Sequence, residues 1–226
     1  MDEAAALAAY QDYIQDLSRT LKAQFTVSTK PIRIIGIEGP SASGKSTAAA
    51  IMAEELNALH VKLDSFFQQQ KDWPQFNPDR DTGYSSIRYD DAAQCIAAFN
   101  NNQPVTFPKY SWQNDLFYDH TLSEDPSSYD FMVIEGTRLL HPQMQDKLDY
   151  RILILSDLSS QIETVRNREG SVYNPQKWEN DKGWFAQQEH FYREQFDITQ
   201  AGHIDLIITG RGIAHVGQMK RQGLYI

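Results

Sequence analysis

Residues Gly39-Pro40-Ser41-Ala42-Ser43-Gly44-Lys45-Ser46 place two glycines, a lysine and a hydroxyl at the spacing of a loop that grips phosphate. Gly39 and Gly44 let the backbone curl into a concave nest with its N–H groups facing inward. A helix is expected to start there, adding the partial positive charge of its N-terminus. Lys45 can bridge the β- and γ-phosphates of a nucleoside triphosphate. Ser46 can place its hydroxyl on magnesium, and Thr47 supplies a second hydroxyl nearby. The ligand implied is the phosphate tail of a nucleotide such as ATP, with Mg2+.

Two carboxylates extend this chemistry. Asp64 follows the apolar run His60-Val61-Lys62-Leu63, and Glu135 follows Phe131-Met132-Val133-Ile134. Phosphoryl transfer needs in-line positioning, charge neutralisation and a destination for the acceptor's proton. Asp64, expected at the end of the strand beside the phosphate loop, can accept that proton from a hydroxyl. Glu135 can hold magnesium directly or through water. Arg166 and Arg168 stand just before Gly170-Ser171-Val172-Tyr173-Asn174-Pro175, which reads as a loop. Arginines on a closing lid meet the charge of a phosphoryl group in flight. On a plain solvated helix end they would only complement the helix dipole. Phe66, Phe67, Tyr84, Tyr110, Trp112 and Phe117 form an aromatic set that could hold a flat acceptor. The same rings could equally fill the core.

These groups must be carried by alternating strands and helices. Ile32–Ile37, His60–Leu63, Phe131–Ile134, Arg151–Leu155 and Ile204–Ile208 are near-continuous apolar runs. Such runs suit a parallel sheet buried on both faces. Helices are expected over residues 4–25, from Thr47, over Asp91–Phe99, around Ile162–Arg168 and over Trp184–Ile198. Val105-Thr106-Phe107 reads as a short extended run that passes into a loop at Pro108. The predicted fold is α/β, a P-loop NTPase three-layer sandwich. Its five-stranded parallel sheet is covered by helices and carries a small lid over about residues 166–183. One domain is expected over residues 1–226, with an N-terminal helix (1–28) packed on it.

Composition narrows the partners. The formal net charge is −9 with no Lys/Arg run, which argues against a nucleic acid polymer. The single cysteine, Cys95, leaves no intrachain disulfide or cysteine metal site and suits a reducing cytoplasm. Met1-Asp2-Glu3 lacks the basic start of a signal peptide, and no apolar stretch is long enough to span a bilayer. The six histidines show no metal-ligand spacing. Self-association stays open.

Taken together, the segments resemble the uridine kinase and phosphoribulokinase superfamily over about residues 31–212. The likeness rests on the loop at 39–46, Leu63-Asp64-Ser65-Phe66-Phe67, Pro108-Lys109-Tyr110-Ser111-Trp112, Val133-Ile134-Glu135-Gly136 and Ile204-Asp205-Leu206-Ile207-Ile208. The resemblance implies that Asp64 faces the acceptor hydroxyl, with Phe67 beside it. It implies that Tyr110 and Trp112 line the acceptor pocket, that Glu135 serves magnesium, and that Arg166 and Arg168 belong to the lid. It thus implies an ATP-dependent kinase whose acceptor is a small molecule such as uridine or cytidine. Nicotinamide riboside, pantothenate or a sugar phosphate are alternative acceptors, and a non-catalytic nucleotide-binding regulator is a further alternative. The sequence departs from the family at Arg166-Asn167-Arg168-Glu169, at Phe196-Asp197-Ile198 and at Phe76–Asp81. For a phosphorylated acceptor, Lys71 and Arg80 are the basic residues near Asp64 in sequence. The GTPase motifs Asp-x-x-Gly and Asn-Lys-x-Asp, and the transporter Ser-Gly-Gly signature, are absent.

Overall fold

Short runs of β-branched and aliphatic residues with no polar alternation can only be strands that are covered on both faces. The structure, a computed structural model, describes residues 3–29, 31–69, 86–111, 116–190, 192 and 204–210. In chain order it contains α1 (Glu3–Val27), β1 (Ile34–Glu38), α2 (Lys45–Leu56), β2 (Ala58–Lys62) and α3 (Tyr89–Asn100). Then come β3 (Val105–Ser111), β4 (Leu116–Glu124), β5 (Phe131–Gly136), α4 (Pro142–Gln145) and β6 (Tyr150–Leu155). Last are α5 (Leu158–Glu169), α6 (Pro175–Trp178), α7 (Trp184–His190) and β7 (Leu206–Thr209). Five strands form one parallel sheet in the order β2-β5-β1-β6-β7.

Alternation along each strand separates two apolar layers. Ile35, Ile37, Val133, Ile152 and Ile154 face α1 and α2, and pack with Ala48, Ala49, Met52 and Leu56. Ile34, Met132 and Ile134 face the other way, toward Ile96 and Phe99 of α3 and the loop residues Leu139 and Leu148. Burying each such aliphatic side chain stabilises the fold by about 1.5–3 kcal/mol. On α1, Tyr10, Ile14, Leu21 and Phe25 recur at helical spacing, and all are buried against this layer. α2 is rich in alanine, and it stops at Asn57, whose left-handed φ of 55° turns the chain into β2. Among the described residues, no helix is long and apolar enough to cross a membrane.

Several boundaries differ from expectation. β2 starts at Ala58 and ends at Lys62; Leu63 and Asp64 belong to a short 3-10 helix, Leu63–Phe66. The extended run at Val105 continues through Pro108 to Ser111 and pairs antiparallel with β4, forming a separate two-stranded ribbon. Pro108 sits where the pairing register shifts, so its missing N–H is tolerated. Gly170–Val172 and Pro175–Trp178 are short helical turns rather than plain loop. Of the helix expected over Trp184–Ile198, residues 191 and 193–198 lie outside the described residues.

Two groups that could have been reactive are quiet. Cys95 on α3 is 3% exposed, and burial pushes its thiol up to about 12. Burial likewise holds the His60 imidazole down at about 4, so it stays neutral at physiological pH.

Candidate active site

The loop at residues 39–46 is shaped by close contacts that exclude side chains. A Cβ on Gly39 would stand 2.6 Å from the Ile154 carbonyl oxygen. Gly44 has a φ of +96°, and a Cβ there would lie 3.0 Å from the Tyr10 hydroxyl. That hydroxyl donates to the Gly44 carbonyl at 3.2 Å, so α1 braces the loop from behind. α2 begins at Lys45 with no side-chain cap, which leaves its first N–H groups to an incoming anion. The Ser43 hydroxyl is buried and has no partner among the described residues. Lys45 and Thr47 are half-buried and Ser46 is exposed. An uncapped helix start, two glycines without room for a side chain and an orphan hydroxyl fit a polyphosphate. Among the described residues, no three His, Cys, Asp or Glu side chains cluster as a metal site. The residues expected to serve magnesium, Ser46 and Glu135, lie in the first turn of α2 and near the end of β5.

The sheet order decides how the carboxylates stand relative to the loop. Neighbours β5 and β6 flank β1, so the loop leaves the carboxyl end of the sheet between them. Glu135 pairs in register with Ile37 of β1 and Lys62 of β2. It shares the parity of Val133, which faces α2, and it is 4% exposed. Asp64 was expected on the strand beside the loop. Instead β5 lies between β2 and β1, so Asp64 follows a strand two places from the one that feeds the loop. Asp64 is half-buried, on a turn that touches both β5 and the β3–β4 ribbon.

Beyond that turn lies a cavity of about 450 Å³ lined by Gln68, Gln69, Arg88, Pro108 and Phe117. Tyr110 is half-buried on β3, with its ring 5.2 Å from that of Phe117 on β4. Phe67 was expected against the acceptor; it is 4% exposed and packs in the core with Phe66 and Ile87. Trp112, Tyr84, Lys71, Arg80 and the Phe76–Asp81 segment lie outside the described residues. Arg88 was missed by sequence reasoning. It donates to the Ser65 carbonyl at 3.3 Å, pairs with Asp91, and stacks its guanidinium 5.3 Å from the Phe117 centroid. Its one sequence signal is an arginine at the start of α3, too common to single out.

The segment expected to be the lid, about 166–183, is described throughout. Val165, Trp178 and Phe185 make a small core against which Ala42 of the phosphate loop packs. Arg166 donates twice to Glu179, at 2.8 and 3.1 Å, and Tyr173 donates to the same carboxylate. Those two donors, Tyr173 first, hold the Glu179 carboxyl below its ordinary range. Arg168 lies 3.8 Å from Glu169, which accepts from the Trp178 indole at 2.9 Å. Each arginine thus lies beside a neighbouring acid, Arg166 beside Glu179 and Arg168 beside Glu169. Arg166→Ala is expected to lower kcat about 10- to 100-fold while changing KM for ATP little. Steady-state kinetics on Arg166→Ala, Arg168→Ala and the double variant check this. Unchanged kcat in all of them would leave the arginines with a purely structural role.

A further residue escaped the sequence reading. Glu38, the last residue of β1, is fully buried, and its carboxylate accepts four hydrogen bonds.

Residues 34–169 match the Phosphoribulokinase / Uridine kinase family. The chain belongs to this family. As a member, it is a kinase with a phosphate loop for a nucleotide, and ATP with magnesium is what the family implies. A cytidylate kinase from Halorubrum lacusprofundi is 26% identical over 168 residues, which cover 73% of each chain. Two solved structures share the fold. One is a possible uridine kinase from Bacillus stearothermophilus, with a TM-score of 0.59 at 17% identity, covering 87% of this chain and 97% of that one. The other is a D-glycerate 3-kinase from Cryptococcus neoformans, with a TM-score of 0.55 at 14% identity, covering 89% and 96%. The three-layer fold of this Phosphoribulokinase / Uridine kinase family member is therefore the expected one, with an antiparallel ribbon that touches the Asp64 turn.

Proposed function

We propose that the chain transfers the γ-phosphoryl group of magnesium-ATP to the 5′-hydroxyl of a nucleoside such as uridine or cytidine. The observation that carries this reading is the acceptor-sized cavity beside the Asp64 turn, edged by Phe117, with Tyr110 against that ring. A volume of about 450 Å³ lies within the range of small-molecule sites. An aromatic edge suits a planar base.

In this mechanism Asp64 orients the acceptor hydroxyl and takes its proton as the oxygen attacks the γ-phosphorus. The bond from that phosphorus to the β–γ bridging oxygen breaks, and ADP leaves. Lys45 neutralises charge on the β- and γ-phosphates, and the loop N–H groups hold the rest. Ser46 and Glu135 would hold a magnesium ion, which would supply further charge neutralisation. Arg166 and Arg168 release their lid acids and meet the transferring group. The acceptor is a small molecule, with no nucleic acid polymer or membrane involved, and the single cysteine favours the cytoplasm.

Arg88 favours a second reading, an acceptor that carries a carboxylate or phosphate, because its guanidinium lines the same cavity. The cytidylate kinase relative is named for a phosphorylated nucleoside, and this supports the same reading. A screen of ADP release with magnesium-ATP decides between them. Nucleosides, nucleoside monophosphates, nicotinamide riboside, pantothenate, glycerate and sugar phosphates are the acceptors to test. Turnover with uridine or cytidine is expected, reduced about tenfold or more by Tyr110→Ala if a base stacks there. Turnover restricted to anionic acceptors, and lost in Arg88→Ala, would replace the nucleoside by the second reading. ATP binding without turnover on any acceptor would point to a regulator.

A further inference from the structure

Glu38 occupies an unusual place for a charge. It ends the central strand, directly before the phosphate loop, with no exposed surface. One carboxylate oxygen accepts from the Gly39 N–H at 2.9 Å, the Arg138 N–H at 2.9 Å and the Tyr192 hydroxyl at 2.8 Å. The other accepts from the Leu140 N–H at 3.0 Å. These donors come from three separate parts of the chain. Gly39 opens the phosphate loop. Arg138 and Leu140 belong to the segment just after Glu135. Tyr192 follows α7, which packs on the lid. Burial pushes the Glu38 carboxyl above its ordinary range, and the Leu140 N–H, the Tyr192 hydroxyl and the Arg138 and Gly39 N–H groups offset only part of that rise.

Neighbouring contacts fix the same three parts. Thr137 donates its hydroxyl to the Gly39 carbonyl at 3.0 Å. Arg138 has a left-handed φ of +71°, which non-glycine residues rarely adopt, and its carbonyl accepts from the Tyr89 hydroxyl at 2.7 Å. Gln188 on α7, itself 3% exposed, accepts from the Ser41 N–H of the loop. Apolar residues would fill this space at lower desolvation cost, since a buried charge is poor value as a stabiliser. What a carboxylate offers is several acceptor sites at a fixed point.

We infer that Glu38 is a positioning residue for phosphoryl transfer, one carboxylate that fixes the phosphate loop, the segment behind Glu135 and the α7 segment as a single unit. The inference rests on the kinase reading above. Its chemistry is specific. Glutamine at this position would turn an N–H donor toward at least one of the four donors. Phenylalanine at Tyr192 would remove the link to α7 alone and leave the other three. Because Gln188 and the Ala42 contact hold the lid onto the loop, the same unit carries the lid's position to the phosphate site.

The test uses the full chain with Glu38→Gln, Tyr192→Phe and, as a control for stability alone, Ile96→Val in the α3 core. Magnesium-ATP affinity is measured by calorimetry at a temperature where every variant is folded by circular dichroism. Amide hydrogen exchange is followed in parallel. Glu38→Gln and Tyr192→Phe are each expected to weaken magnesium-ATP binding about tenfold, the loss of one charge-assisted hydrogen bond. Exchange at Gly39, Arg138 and Leu140 is expected to quicken in Glu38→Gln. Ile96→Val lowers the melting temperature and leaves affinity unchanged. Should Glu38→Gln fail to fold, Tyr192→Phe carries the comparison. Wild-type affinity in the folded variants overturns the inference and leaves the kinase reading standing. A wild-type chain that binds no magnesium-ATP overturns both.

Discussion

Replacing Lys45 with alanine is expected to reduce phosphoryl transfer to background. The lysine is the first residue of α2, half-buried, and follows directly on the left-handed Gly44. From that position its ammonium is expected to meet the β- and γ-phosphates. No other cation is fixed on the loop itself, and the lid arginines are engaged with Glu179 and Glu169. Removing a charge that strengthens as negative charge develops in transit costs turnover more than it costs binding. The fold should survive, because the α2 face that packs on the sheet is made by Ala48, Ala49, Met52 and Leu56. Acceptor-dependent ADP release, read beside a thermal melt, checks both halves. Near wild-type turnover would remove residues 39–46 from the reaction.

Asp64→Asn is expected to cost about 10²–10⁴-fold in kcat, the usual contribution of a general base. An alcohol hydroxyl has a pKa far above neutrality and needs a positioned acceptor as its bond to phosphorus forms. Asparagine keeps the shape and removes the base. Because β5 separates the Asp64 turn from the phosphate loop, nucleotide affinity should stay close to wild type. Single-turnover kinetics and equilibrium ATP binding separate the two quantities. A variant with normal kcat would move the base elsewhere. A variant that also lost ATP would place Asp64 at the nucleotide and not at the acceptor.

What could be read from sequence was what is local. The phosphate loop is legible because its eight residues are contiguous and each has a backbone or charge reason to be there. The five strands are legible because burial on both faces leaves a continuous apolar run. Strand order is not written in any one segment. For that reason β5 was not expected between Asp64 and the loop. Strand β4 was missed because a ribbon beside the sheet needs no apolar run, and Pro108 disguised its partner. Arg88 and Glu38 were missed for a related reason. Each looks ordinary beside its neighbours in sequence, and Glu38 finds donors 100, 102 and 154 residues away. Such contacts exist only once the chain has folded.

The sealed thiol on α3 makes this chain a convenient substrate for spectroscopy. Cys95 is the sole cysteine, is 3% exposed and has its thiol pushed up to about 12. At neutral pH it presents almost no thiolate to an alkylating dye. A cysteine introduced at exposed Asn167 on the lid, with a second at exposed Asn101 on the α3 side, would accept a donor and acceptor fluorophore without first deleting a native one. Distances between lid and body could then be followed through a turnover cycle in an otherwise unaltered background.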